Sequence, residues 1–208
     1  MADSPAGSDE GDRQPAGLVL AAGSGERFGA TKQLAELDGR PLLEHALAAM
    51  AAASVKRFVV VLGAAAAEVH AGVDLHGAEP VVCEQWSLGQ SASLRTGVAA
   101  LAGAEAVVVT LGDQPMISAQ AIDRVVAARR PGKVAVRASY GGLPGHPVLL
   151  EENLLAEVDG LRGDSGARDL LEGGRIATVP CDGLGDPLDV DTPDRLEVLR
   201  RRSGSESG

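Results

Sequence analysis

Five apolar runs of strand length, at residues 18–21, 58–62, 80–83, 106–111 and 134–136, constrain most what this chain can fold into. Each is dense in Val or Leu and lacks the polar alternation of a half-solvated strand, so each reads as a strand covered on both faces. Helical patterns fill the gaps. Leu43, Leu47 and Met50 fall at i, i+4 and i+7 behind Pro41, a residue suited to a first helical turn, and Leu94, Val98 and Leu101 repeat that spacing. Ile122, Val125 and Val126 form a third stripe with Ser118 as its N-cap, and Thr192-Pro193 opens a last helix marked by Leu196 and Leu199. Strand–helix alternation of this kind predicts an α/β fold with a mainly parallel, doubly wound sheet.

Composition narrows the class. A chain of 208 residues is most simply one domain with a sizeable core. Hydrophobic residues make up 45% of it but aromatics only 2%, so the core is built from Val, Leu, Ile and Ala, and base stacking on nucleic acid has no basis. A net charge of −10 argues against nucleic acid and against an anionic membrane as partners. Cys83 and Cys181 lie far apart at the ends of apolar runs and read as buried thiols without a disulfide. No apolar run approaches membrane-spanning length, and the acidic N-terminus lacks the order of a secretory signal, so a cytoplasmic protein is expected. Residues 1–16 and 203–208 are small and polar and read as disordered tails around a domain at 17–202.

The first apolar run empties into a glycine-rich loop, and residues 18–32 read LVLAAGSGERFGATK. Glycines let the backbone approach a ligand and aim successive N–H groups at it, which suits phosphate oxygens. Arg27 and Lys32 supply the positive charge that a triphosphate needs. A dinucleotide fingerprint wants G-x-G-x-x-G opening a helix, whereas Gly23, Gly25 and Gly29 have another spacing and a short strand and turn follow at 34–39. A P-loop wants its lysine directly after a glycine, which no lysine here satisfies. A lysine three residues past the last glycine resembles the signature loop of nucleotidyltransferases.

Open α/β sheets bind ligands outside the carboxyl ends of their strands, and two acidic stretches fall there. Asp113 follows the run 106–111, and Asp189 and Asp191 sit in PLDVDTP at 187–193. Magnesium takes one or two carboxylates plus phosphate oxygens and water, so aspartates from two distant strand ends suit one shared ion. Their plainer roles are a turn aspartate and a helix-start acid. Gly89, Ser91 and Ser93 open the helix that carries Leu94 and offer free N–H groups and hydroxyls to a base or ribose, with N-capping as the plainer role of Ser91. Residues 141–147 concentrate turn formers around His146, a histidine with a structural rather than catalytic pattern. Asp164 and Arg168 lie in the small polar loop GDSGAR, where Arg168 either meets an anionic second substrate or caps a surface. No nucleophile elbow, paired glycosidase carboxylates or H-E-x-x-H pattern is present, which fits phosphoryl-type transfer by positioning and charge neutralisation.

Together, LAAGSGERFGATK, GQSASLR, LGDQP, GLPGHPV, GDSGAR and DVDTPD, in that order from about Leu18 to Leu199, resemble the molybdenum-cofactor cytidylyltransferases, a branch of the nucleotidyltransferases that also holds the molybdopterin guanylyltransferases. The resemblance implies a Rossmann-like GT-A fold, magnesium, and transfer of CMP from CTP to the terminal phosphate of molybdopterin with release of pyrophosphate. It implies a catalytic set of Arg27, Lys32 and Asp113. The nucleotide would lie along Leu20, Ala21, Ala22, Gly23, Ser24 and Gly25, held by Lys32, with Gly89, Ser91 and Ser93 facing the nucleoside. Asp113 would bind magnesium together with Asp189 or Asp191. His146, Asp164 and Arg168 would lie toward the pterin. Leu20-Ala-Ala-Gly23, where the guanylyl relatives carry Ala-Gly-Gly, points to CTP. A molybdenum hydroxylase would be the client. Neighbouring readings are a guanylyltransferase, a sugar- or polyol-phosphate cytidylyltransferase, and a noncatalytic protein that delivers molybdopterin.

Overall fold

The apolar runs form the strands expected of them, joined in one seven-stranded sheet. The structure is a computed structural model that describes residues 14–130, 132–164, 166, 170–171 and 176–205. Strands β1 (Ala16–Ala21), β4 (Phe58–Leu62), β5 (Glu79–Val82) and β6 (Ala106–Leu111) lie parallel to one another. Strand β8 (Leu143–Glu151) runs antiparallel between β6 and β7 (Ala135–Tyr140), and β9 (Ile176–Pro180) adds parallel to β7. The order is β5-β4-β1-β6-β8-β7-β9, and a separate two-stranded hairpin pairs β2 (Glu36–Leu37) with β3 (Arg40–Pro41). The helices are α1 (Leu42–Ala51), α2 (Ala66–Gly72), α3 (Gln90–Ala100), α4 (Ala119–Ala127), α5 (Glu152–Leu155) and α6 (Pro193–Ser205). Among the described residues no helix is long and apolar enough to cross a membrane.

The sheet is covered on both faces because adjacent strand residues point to opposite sides. Val19 and Val60 pack with Leu43, Leu47, Met50, Ile122 and Val125 in one apolar layer. Leu18, Val59, Val61, Val107 and Val109 pack with Leu94 and Leu101 in the other. Helix α3 sits close: a Cβ on Gly97 would lie 2.4 Å from Leu18 Cδ1, so a larger residue there would have to displace the Leu18 side chain. Ser118 caps α4, its hydroxyl accepting from the Ala121 N–H, as its position before the apolar stripe predicts. Both cysteines are buried and free.

Several boundaries differ from the sequence reading, each for a local reason. The run 80–83 becomes β5, an edge strand that is largely exposed rather than covered on both faces. Pro41 precedes α1 as its N-cap rather than entering the first turn, because it still pairs with Glu36 in the hairpin. The turn expected at 141–147 shrinks to Gly141 and Gly142, both with positive φ, and β8 starts immediately after it. Pro144 and Pro147 do not stop this strand. They fall where β8 pairs with β7 alone, at a register shift between Arg137 and Ala138 that leaves His146 and Pro147 unmatched. Ala16 pairs with Val107 in the sheet, and α6 continues to Ser205, so the described fold extends slightly beyond 17–202 at both ends.

Candidate active site

The glycine-rich loop leaves β1 at the carboxyl rim of the parallel strands and folds back on itself. Gly25, at φ +67°, reverses the chain, and its O accepts from the Phe28 N–H at 2.8 Å. A Cβ there would lie 2.6 Å from Ala30 O, so this turn requires glycine twice over. The 3-10 turn Lys32–Leu34 then returns beneath the loop. Its middle residue, Gln33, is buried and donates from Nε2 to Ala21 O at 2.8 Å and to Gly23 O at 2.9 Å. In the sequence, only adjacency to Lys32 marks Gln33.

Lys32 joins segments far apart in the chain. Its ammonium donates to Asp113 Oδ2 at 2.6 Å and to Asp191 Oδ1 at 3.0 Å, while Arg27 Nη2 donates to Asp191 Oδ2 at 2.9 Å. The Lys32 side chain is only 13% exposed, so its ion pairs are poorly screened by solvent; that of Arg27 is 76% exposed, and its pair adds little to stability. Burial by itself would lower the lysine pKa, but the Asp113 and Asp191 carboxylates outweigh it and hold Lys32 above the ordinary lysine value. Burial would likewise raise Asp191, yet Lys32 and Arg27 hold it below the usual carboxylate range. Asp189 goes the other way: burial and the nearby Asp113 charge push it up.

Backbone contacts fix these acids in place. The Val190 N–H donates to Asp113 O at 2.8 Å, fastening the 187–193 stretch to the end of β6. Gln114 adds a second clasp from Nε2, to Asp189 Oδ1 at 2.8 Å and Pro187 O at 3.1 Å. Two clefts open beside the cluster, of about 420 and 430 Å³, each in the size range of a small-molecule site. The first is lined by residues 20–24, by Lys32, Gln33 and Asp113, and by Gly89 and Ser93. The second is lined by Arg137, Tyr140, His146, Gln114 and Asp189. Gln90 and Leu111 line both.

The predicted site residues divide accordingly. Leu20, Ala21, Ala22, Gly23, Ser24, Lys32, Gly89, Ser93 and Asp113 meet at the first cleft. Gly25 shapes the loop without lining it, and Arg27 reaches the cluster from solvent through Asp191. Ser91 departs from expectation: Gly89, not Ser91, occupies the N-cap of α3, and the Ser91 hydroxyl is buried off both clefts. His146 and Asp164, expected on one side, separate. His146 lines the second cleft, while Asp164 lines the first. Arg168 lies outside the described residues.

Among the described residues no three His, Cys, Asp or Glu side chains form a ready-made metal cage. A magnesium-type ion does not require one, since it retains waters and takes substrate phosphates beside one or two carboxylates. The donor set fits that demand. Asp113 Oδ1 is buried without a hydrogen-bond partner, and Asp113 and Asp191 already share one cation, the Lys32 ammonium.

Comparison with known proteins places the chain in a family. The sequence profile of the MobA-like NTP transferase domain matches residues 17–179. The nicotine blue oxidoreductase of Paenarthrobacter nicotinovorans is 33% identical over 194 residues, covering 88% of this chain and 95% of that protein. A crystal structure of an Rv0371c homologue from Mycobacterium sp. strain JC1 superposes with a TM-score of 0.83 at 35% identity, over 92% of this chain and 97% of that one. Rv0371c from Mycobacterium tuberculosis, solved in complex with manganese, is 31% identical with a TM-score of 0.78, over 90% of this chain and 98% of that one.

Proposed function

The chain belongs to the MobA-like NTP transferase family and is a nucleotidyltransferase, and from that premise we propose that it transfers CMP from CTP to the terminal phosphate of molybdopterin. The observation that carries this reading is the Lys32 ammonium held between Asp113 and Asp191 at the rim of the glycine-loop cleft, with Asp189 facing a second cleft alongside. In this reading the triphosphate lies along Ala22, Gly23 and Ser24, and the nucleoside lies toward Gly89 and Ser93. The acceptor enters the second cleft beside His146, and its phosphate reaches the first past Gln90 and Leu111.

An acceptor phosphate oxygen attacks the α-phosphorus of CTP, a new P–O bond forms, and the bond from the α-phosphorus to the bridging oxygen breaks with pyrophosphate as leaving group. The attacking phosphate is already ionised, so no side chain has to remove a proton. Lys32 and Arg27 offset the charge that grows on the α-phosphate and the leaving pyrophosphate. Asp113, with Asp191 or Asp189, would hold magnesium, which supplies Lewis-acid neutralisation of the phosphate oxygens. The manganese complex of Rv0371c supports use of a divalent ion.

The oxidoreductase name of one relative raises a redox reading. Against it, the loop after β1 leads into a 3-10 turn and a hairpin instead of the helix N-terminus on which a dinucleotide pyrophosphate rests. Pyrophosphate release, measured with each of the four nucleoside triphosphates with and without molybdopterin, tests the proposal. The expected result is release that needs both CTP and molybdopterin. Release with GTP alone among the nucleotides moves the assignment to a guanylyltransferase. No release with any nucleotide, combined with stable molybdopterin binding, replaces the enzyme with a carrier.

A further inference from the structure

A glycine-rich loop binds phosphate only if its peptides turn their N–H groups, and not their carbonyls, toward the ligand. Both ends of each peptide are present in the loop, and a carbonyl oxygen facing a triphosphate repels it. Something must therefore fix which way the peptides between Ala21 and Ser24 face. Glycine cannot do so, because its freedom allows either orientation.

We propose that Gln33 is the positioning residue that sets this orientation. The inference rests on the nucleotide reading of the first cleft. Both Nε2 hydrogens of Gln33 are spent on loop carbonyls, Ala21 O at 2.8 Å and Gly23 O at 2.9 Å. In a trans peptide the C=O and the following N–H point in opposite directions. Tying down Ala21 O therefore aims the Ala22 N–H away from Gln33, and tying down Gly23 O does the same for the Ser24 N–H. The intervening carbonyl is held from another side: Ala22 O accepts from the Ala64 N–H at 3.4 Å, which turns the Gly23 N–H outward in its turn. Three consecutive carbonyls are thus bound to the body of the protein. Among the described residues no acceptor takes the backbone N–H of Gly23, Ser24 or Gly25, and Ala22, Gly23 and Ser24 line the first cleft.

The side chain also fits this task in a way a substitute would not. Gln33 is 6% exposed, so its amide is shielded from competing water. Its amide cannot turn over, because two carbonyl acceptors both require the NH2 end. Glutamate, of the same shape, would present a carboxylate to two carbonyls and lose both bonds. Gly63 completes the clamp: a Cβ there would lie 2.2 Å from Ala22 O, so the residue just after β4 gives the loop a glycine to rest against.

The test measures binding of CTP, CMP and cytidine by calorimetry to the wild-type chain, Gln33→Met and Gln33→Glu, each checked for an unchanged melting profile. If the loop N–H groups are set by Gln33, the loss grows with the number of phosphates. CTP binding falls by about 10- to 100-fold in Gln33→Met and further in Gln33→Glu, while cytidine binding changes by less than about threefold. Equal losses for all three ligands, or CTP affinity like that of the wild type, overturns the proposal. Should both variants unfold, amide NMR of the wild-type chain with inorganic tripolyphosphate decides: downfield shifts at the Ala22, Gly23 and Ser24 N–H groups are expected, and their absence overturns it. Failure of the wild-type chain to bind any nucleotide would instead overturn the reading of the cleft itself.

Discussion

The two clefts meet at Gln90 and Leu111, yet they are built from different halves of the sheet and by different means. The first sits at the carboxyl ends of the parallel strands β1 and β6, and residues 20–24, from the end of β1 into the glycine loop, line it. The second leans on the antiparallel hairpin of β7 and β8, and residues with large polar side chains, among them Arg137, Tyr140 and His146, line it. In the proposed reading the first cleft meets what every nucleoside triphosphate shares, and the second meets what distinguishes one acceptor from another. The charge cluster stands between them, with Asp113 lining the first cleft and Asp189 the second.

This division makes predictions that grade by where they fall. The largest effect belongs to the shared cluster. Asp113→Asn is expected to lower turnover by about 10³-fold with the melting temperature nearly unchanged, since it removes a charge where charge develops in the transition state. Pyrophosphate release within about threefold of the wild-type rate would take Asp113 out of the machinery. Next comes Lys32→Ala, which should cost about 10²-fold in kcat/KM for the nucleotide. Because the lysine no longer competes for Asp113 and Asp191, the variant should also bind Mn²⁺ in the absence of nucleotide about tenfold more tightly. Electron paramagnetic resonance titration reads that affinity, and an unchanged or weaker value would show that Lys32 does not stand in for the ion.

The third prediction separates the two walls. His146→Ala should raise KM for the acceptor by about 5- to 10-fold and leave KM for the nucleotide alone, as expected for a residue that lines only the second cleft. A shift in nucleotide KM of similar size would mean that the clefts do not work independently. The smallest effect lies at the opposite end of the sheet, where Arg129 makes a two-pronged pair with Glu151 at 2.6 and 2.8 Å. Both side chains are partly exposed, so Arg129→Met should cost only about 1 kcal/mol in urea unfolding and nothing in turnover. A loss of activity without a loss of stability would reveal a function at that end.

The same division explains what was legible in the sequence. The parallel half announces itself: the runs at 18–21, 58–62 and 106–111 are uniformly apolar because they are buried on both faces, and the loop after the first carries its glycines in plain order. Asp113 is legible because it follows β6, and strand ends are where such sheets bind ligands; the 187–193 acids do not end a strand, since β9 stops at Pro180, and reach the site through the Val190–Asp113 backbone bond. The antiparallel half misled. The sequence at 141–147 contains three glycines and two prolines, the composition of a turn, but only Gly141 and Gly142 make one. The rest is strand, tolerated because β8 pairs on one side there and slips register around His146 and Pro147. Pairing of that kind is set by tertiary neighbours and leaves no local signature. Gln33 and Gln114 escaped for a related reason. Their roles consist of hydrogen bonds to Ala21, Gly23, Pro187 and Asp189, and no spacing rule records which carbonyls a buried amide will meet. A short polar loop fixes no direction, and Asp164 lines the first cleft apart from His146, against Gly89, where a Cβ would lie 2.7 Å from Asp164 Oδ1.

The most direct test is a crystal structure with Mn²⁺ and a CTP analogue whose α–β bridge cannot be cleaved. The account predicts anomalous density for manganese against Asp113, the triphosphate along Ala22 to Ser24, and Lys32 withdrawn from the aspartates to the phosphates. Manganese bound away from Asp113, or the analogue seated in the His146 cleft with the glycine loop empty, would contradict it.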